Sequence, residues 1–96
     1  MNTDEVARAC DELHEYIELG PGEDQEILGR ALRTLGRLKA SAPWEYPRTV
    51  LEDLETRVAT WFSPAPGGGF GAEEHHRQAL LEQLGELEDS WSRPRA

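Results

Sequence analysis

The chain has 96 residues, 38% of them apolar and 30% charged, and 19 acidic side chains against 10 basic ones leave a formal charge of −9. That length sets one domain with enough apolar surface for a small core, and the composition is that of a soluble, foldable chain rather than a disordered one. A strongly negative surface is repelled by phosphate backbones and anionic membranes and attracted to basic partners, so direct nucleic-acid and membrane binding are both disfavoured.

The charge is sorted along the chain: −5 over residues 1–22, +1 over 23–40, −2 over 41–62 and −3 over 63–96. No apolar run reaches the roughly 18 residues that a membrane span requires. The opening Met1-Asn2-Thr3-Asp4-Glu5 lacks the apolar stretch of a signal peptide. A single cysteine, Cys10, allows no internal disulfide and fits a reducing compartment, so a cytoplasmic protein is expected. Nine of the ten basic residues are Arg, with Lys39 the exception, a bias of the kind that a G+C-rich bacterial genome writes.

Apolar residues recur at helical spacing in four stretches separated by Gly and Pro. The first spans about 3–19, where Val6, Cys10, Leu13 and Ile17 line one face. Asn2 and Glu5 stand at capping-box spacing before it, and Gly20-Pro21-Gly22 stops it, with a left-handed glycine cap expected. The second spans about 23–40. Glu23, Asp24 and Glu26 sit in its first turn and Arg37 and Lys39 in its last, matched to the helix dipole. Ile27, Leu28, Ala31, Leu32, Leu35 and Leu38 form its apolar face.

A Pro-bracketed loop follows, carrying Trp44 and Tyr46. The third helix is expected over 49–62, opened by a Thr49–Glu52 capping box and buried along Leu51, Leu54, Val58 and Trp61. Residues 63–71 hold two prolines and four glycines, and read as a flexible connector. The fourth helix is expected over 72–91, with Leu80, Leu84, Leu87 and Trp91 on one face. No segment shows strand alternation. The fold class is therefore all-α: a small four-helix bundle, antiparallel because its connections are short.

On a helical projection Asp4, Asp11, Glu15 and Glu18 fall within roughly 60° of one another, opposite the Val6–Ile17 stripe, with Arg8 among them and Glu5 and Glu12 on the flank. A charged outer face is ordinary on an amphipathic helix. Like charges at i,i+3 and i,i+4 nevertheless cost an isolated helix roughly 0.2–0.5 kcal/mol each, so this face is a candidate docking surface for a basic partner. The second helix carries Arg30, Arg33 and Arg37 on one stripe, expected to pair with acidic neighbours inside the bundle. It also carries Gly29 and Gly36, spaced to admit the close approach of another helix.

Asp11 to His14 and Glu73 to His76 both read acid-x-x-His, the spacing used in di-iron bundles. Asp11 points away from the core, however, and inward acids on helices two and three are missing, so no metal and no cofactor is expected. Cys10, on the buried face, should be inert. Gly67-Gly68-Gly69-Phe70-Gly71 lacks the strand and the Lys-Ser/Thr of a phosphate loop, and no nucleophile stands in an elbow, so an enzyme is not expected. Trp44, Tyr46, Phe62 and Phe70 have no required place in the core; they suit interface anchors, or caps on the open ends of the bundle.

The reading that results is an acidic protein-binding module, an inhibitor, immunity or adaptor protein acting on a basic protein, with a nucleic-acid mimic as one form of it. Its contact residues are Asp4, Asp11, Glu15 and Glu18, with Trp44 and Tyr46 as anchors. A homo-oligomeric structural protein, such as a homodimer, is the alternative, and a metal-binding bundle the more remote one.

Overall fold

The computed structural model describes residues 2–20, 22, 24–62 and 73–92. Four helices account for most of them: α1 (Thr3–Leu19), α2 (Gln25–Ala40), α3 (Glu45–Trp61) and α4 (Glu73–Ser92). Each helix packs on the next and α4 closes back on α1, leaving α1 and α3 diagonally opposed. The end of α1 meets the start of α4 through Arg77 and Gly20, and the start of α3 meets the end of α4 through Trp44 and Ser90. These contacts fix an up-and-down bundle.

The apolar stripes are buried as their spacing requires. Val6, Cys10, Leu13 and Ile17 of α1 meet Ala31, Leu35 and Leu38 of α2, the four stripe residues of α3, and Leu80, Leu84, Leu87 and Trp91 of α4 in one core. Ile27, Leu28 and Leu32 lie half-buried at its edge. Phe62, which the sequence leaves without a place, is 1% exposed. It follows α3 directly, and its ring and that of Trp61 close over Gly20.

Three helix ends differ from expectation for identifiable reasons. The Asn2–Glu5 capping box forms as its spacing implies, with Asn2 Oδ1 accepting from Glu5 N at 2.9 Å. Asp24, by contrast, precedes α2 rather than lying in its first turn, and its carboxylate caps Ile27 N at 3.0 Å. α3 starts at Glu45, four residues before the expected position. Pro47 therefore stands in its first turn, where a missing N–H costs nothing because that group has no intrahelical partner. Thr49 is inside the helix, and its hydroxyl donates to Glu45 O at 3.1 Å instead of capping.

Gly20 ends α1 with an extended backbone (φ −100°), not a left-handed one. Glycine is needed there for space. A Cβ would stand 2.6 Å from Trp61 Nε1 and 2.8 Å from Phe62 Cε1. Gly22, with φ +151°, is the position where the backbone itself favours glycine, and its N–H donates to Trp61 O at 3.2 Å. The expected connector over 63–71, with Phe70, lies outside the described residues.

A candidate docking face on the first helix

α1 carries six acids, and the fold divides them into two groups. Glu5 is taken by the N-terminal cap, where Asn2 N donates to it at 3.3 Å. Glu12, half-buried, accepts from Tyr16 OH at 2.7 Å and from Thr34 Oγ1 at 3.2 Å, which ties α1 to α2. The hydrogen bond that Tyr16 donates to the Glu12 carboxylate holds that phenol's pKa above its ordinary value. Asp4, Asp11, Glu15 and Glu18 are the remainder. All four are exposed, on the side of α1 that faces away from the core. Glu18 lies 3.4 Å from His14 Nε2, also exposed, one turn earlier.

The arginine stripe of α2 does not answer this face. Among the described residues no ion pair joins α1 to α2. Arg30 pairs with Glu26 of its own helix at 2.8 Å, and Arg33 and Arg37 are exposed. It is Lys39 that reaches across a helix boundary, to Glu55 of α3 at 2.9 Å, and this partner raises the lysine's pKa. The expected pairing of Arg30, Arg33 and Arg37 with acids of a neighbouring helix is thus replaced by a local pair and two solvated arginines.

α1 has no basic residue in its last turn, although Glu15 and Glu18 lie near that end. Negative charge there opposes the helix dipole. The compensating cation comes from elsewhere: Arg77 of α4 donates to Gly20 O at 3.1 Å and to Glu74 at 2.6 Å, with its guanidinium 5.7 Å from the Trp61 ring centre. A tertiary arginine cap thus supports a helix end loaded with the wrong sign of charge.

Trp44 and Tyr46 stand apart from these carboxylates. Trp44 is 37% exposed and donates its indole N–H to Ser90 O at 2.9 Å, while the Tyr46 hydroxyl donates to Glu86. Both aromatics belong to the N-terminal end of α3, which is diagonal to α1, and both tie that end to α4. The structure therefore gathers the four carboxylates on one face and places the two aromatics elsewhere. Tyr46 is half-buried inside α3 rather than in a loop, because the helix begins at Glu45.

No protein-family model, curated protein or solved structure matches this chain. Function must be read from its own chemistry.

Other constellations from the sequence resolve simply. Cys10 is buried in the α1–α4 contact with its Sγ 4.0 Å from Leu84 O, and burial, reinforced by Glu88, pushes its thiol pKa up to about 12. The thiolate, which is the reactive form, is suppressed at neutral pH. Among the described residues no group of three or more His, Cys, Asp or Glu side chains is placed to hold a metal ion. None of the described helices is long and apolar enough to cross a membrane. No other helix of the chain approaches Gly29 or Gly36 among the described residues: a Cβ at either would meet nothing within 4 Å.

Proposed function

We propose that this chain is a small acidic helical protein-binding module, of the inhibitor, immunity or adaptor type, whose α1 outer face docks on a basic protein. One observation carries the reading: the fold uses Glu5 and Glu12 for its own structure and leaves Asp4, Asp11, Glu15 and Glu18 in solvent, with no α2 cation against them among the described residues. Asp11, Glu15 and Glu18 repel one another along the helix and the last two oppose its dipole, while Asp4 lies in the first turn, where a negative charge is favourable. A row of carboxylates that makes no contact with another helix among the described residues is suited to an external one. The field of a −9 chain would steer a basic partner and speed its association. A partner that normally binds nucleic acid fits the same spacing of negative charge.

The homo-oligomer reading has less behind it. The large apolar side chains exposed among the described residues are Leu19 and Trp44, at opposite ends of the bundle, and they form no continuous apolar face.

The test compares the protein with its Asp4→Asn, Asp11→Asn, Glu15→Gln, Glu18→Gln variant, both immobilised and exposed to lysate of the source organism at low and moderate salt. The proteins retained by the wild type should be basic, should elute as salt rises, and should be missing from the variant. Retention of the same proteins by the neutralised variant would sink the docking face.

A further inference from the structure

A second surface stands at the start of α3, the helix diagonal to α1. Where the turn after α2 meets the first two turns of α3, the chain leaves a groove of about 400 Å³. Ala42, Pro43 and Trp44 line it from the turn, and Glu45, Arg48 and Glu52 from the helix. Pro43 and Trp44 are both exposed, so solvent reaches the apolar part of this lining. The indole N–H is already spent on Ser90 O at 2.9 Å, a bond that pins the ring. Indole has no second donor. What Trp44 still offers a ligand is the carbon surface of its ring, whose π face attracts a cation.

The charges on the helix side follow one another along α3. Glu45, Arg48 and Glu52 are spaced three and four residues apart, so each stands about one turn from the next. That spacing invites pairing within the helix, yet among the described residues none of the three makes an ion pair. All three are exposed. Lys39 of α2 lies near enough for Glu52 to help raise its pKa, but its ammonium is met by Glu55 at 2.9 Å. Two carboxylates beside an open indole face thus keep their charge unmatched, with the Arg48 guanidinium between them.

We infer that the α2–α3 groove binds an extended basic segment of a protein partner, with one cation on the Trp44 ring beside Glu45 and the next beside Glu52. The ring quadrupole attracts a cation, and a guanidinium also stacks on the indole plane. Glu45 and Glu52 stand about 10 Å apart along the helix axis. In a polyproline II segment, residues i and i+3 share a side and are separated by about 9 Å. The matching segment therefore reads Arg-x-x-Arg, with Lys a weaker substitute because it does not stack as a plane. Arg48 opposes this binding, and removing its charge should strengthen it. An anionic segment would meet Arg48 alone, against two carboxylates and a chain charge of −9.

The probe is the peptide acetyl-Arg-Ala-Ala-Arg-amide, with its double citrulline analogue as the neutral isostere. It is titrated at low salt into the whole chain carrying Asp4→Asn, Asp11→Asn, Glu15→Gln and Glu18→Gln, so the result does not depend on the α1 face. Amide and indole NMR signals should shift saturably over 42–52, that of the Trp44 indole among them, with a dissociation constant in the millimolar range. Added salt should weaken the binding. Glu45→Gln with Glu52→Gln should weaken it roughly fivefold and Arg48→Gln should tighten it roughly twofold. Trp44→Leu should weaken it about threefold. Glu45, Arg48 and Glu52 are exposed, so their variants should keep the wild-type helical spectrum. The proposal is overturned if the peptide gives no saturable shift, if its shifts scatter over the molecule, if the citrulline peptide binds as well, or if the double glutamine variant binds it unchanged.

Discussion

Trp61 and Trp44 stand at opposite ends of α3 and make the same bond to different effect. Each donates its indole N–H to the last turn of another helix, Trp61 to Ile17 O at 3.1 Å and Trp44 to Ser90 O at 2.9 Å. Trp61 is 1% exposed and Trp44 37% exposed. Around Trp61 the end of α1, the start of α4 and the end of α3 converge: Gly20 lies against its ring, Arg77 lies over it, and Gly22 donates to its carbonyl. Around Trp44 one hydrogen bond and a Tyr46–Glu86 contact join two helices at a more open end. The hydrogen bond is common to both ends, so burial and crowding account for the difference between them.

The largest effect should follow from Trp61→Ala. Removing a buried Trp costs about 3–5 kcal/mol, from lost transfer energy and an unfilled cavity. Here the change also removes the indole hydrogen bond to Ile17 O, which keeps only Gly20 N, and the ring beneath the Arg77 guanidinium. That is a large fraction of the stability of a domain of this size, and the melting transition should fall steeply or vanish. Trp44→Ala should cost about 1–2 kcal/mol, a single hydrogen bond with partial burial. Circular-dichroism melts of both variants check the contrast, and equal losses would mean that the two ends carry equal weight.

Gly20→Ala probes the crowded end by addition instead of removal. Its new methyl would meet the indole of Trp61 and the ring of Phe62 at distances that neither buried side chain can relieve without moving. Overpacking of this kind costs about 1–3 kcal/mol. The backbone at Gly20 is extended and open to any residue, so the loss would come from the contact and not from φ. Urea unfolding should show a lower midpoint at unchanged slope. A neutral result would mean that the end around Trp61 has room to adjust.

The two ends also differ in how far the sequence discloses them. The four buried stripes, the Asn2–Glu5 cap and the bundle class are local or periodic features, and spacing alone reveals them. So is the acidic face of α1, since exposure opposite an apolar stripe follows from helix geometry. The fate of Glu12 is different: only the approach of Thr34 from α2 separates it from Asp11 and Glu15. Gly20 reads as a chain stop whatever its φ, and the need for space beneath Trp61 and Phe62 appears only when α3 is laid across it. Trp44 and Tyr46 read as loop residues because Pro47 reads as a helix boundary. In the first turn of α3 it is permitted, and that moves Tyr46 into the helix.

Gly29 and Gly36 supply the smallest test, and the opposite sign. Both lie inside α2, and a Cβ at either meets nothing within 4 Å. Replacing a helical glycine by alanine in open space removes backbone freedom from the unfolded chain and stabilises by about 0.5–1 kcal/mol. The two positions are separated by about 10 Å along the helix, so Gly29→Ala and Gly36→Ala should add. Against Gly20→Ala, the same chemical change should therefore raise the urea midpoint at α2 and lower it at the end of α1. The sign also bears on oligomerisation. If these glycines faced a second copy of the chain, a methyl at Gly29 would push that copy away and destabilise the assembly, and the loss would grow with protein concentration. A gain that is constant across concentration leaves α2 facing solvent, and a loss that deepens with concentration would restore the homo-oligomer.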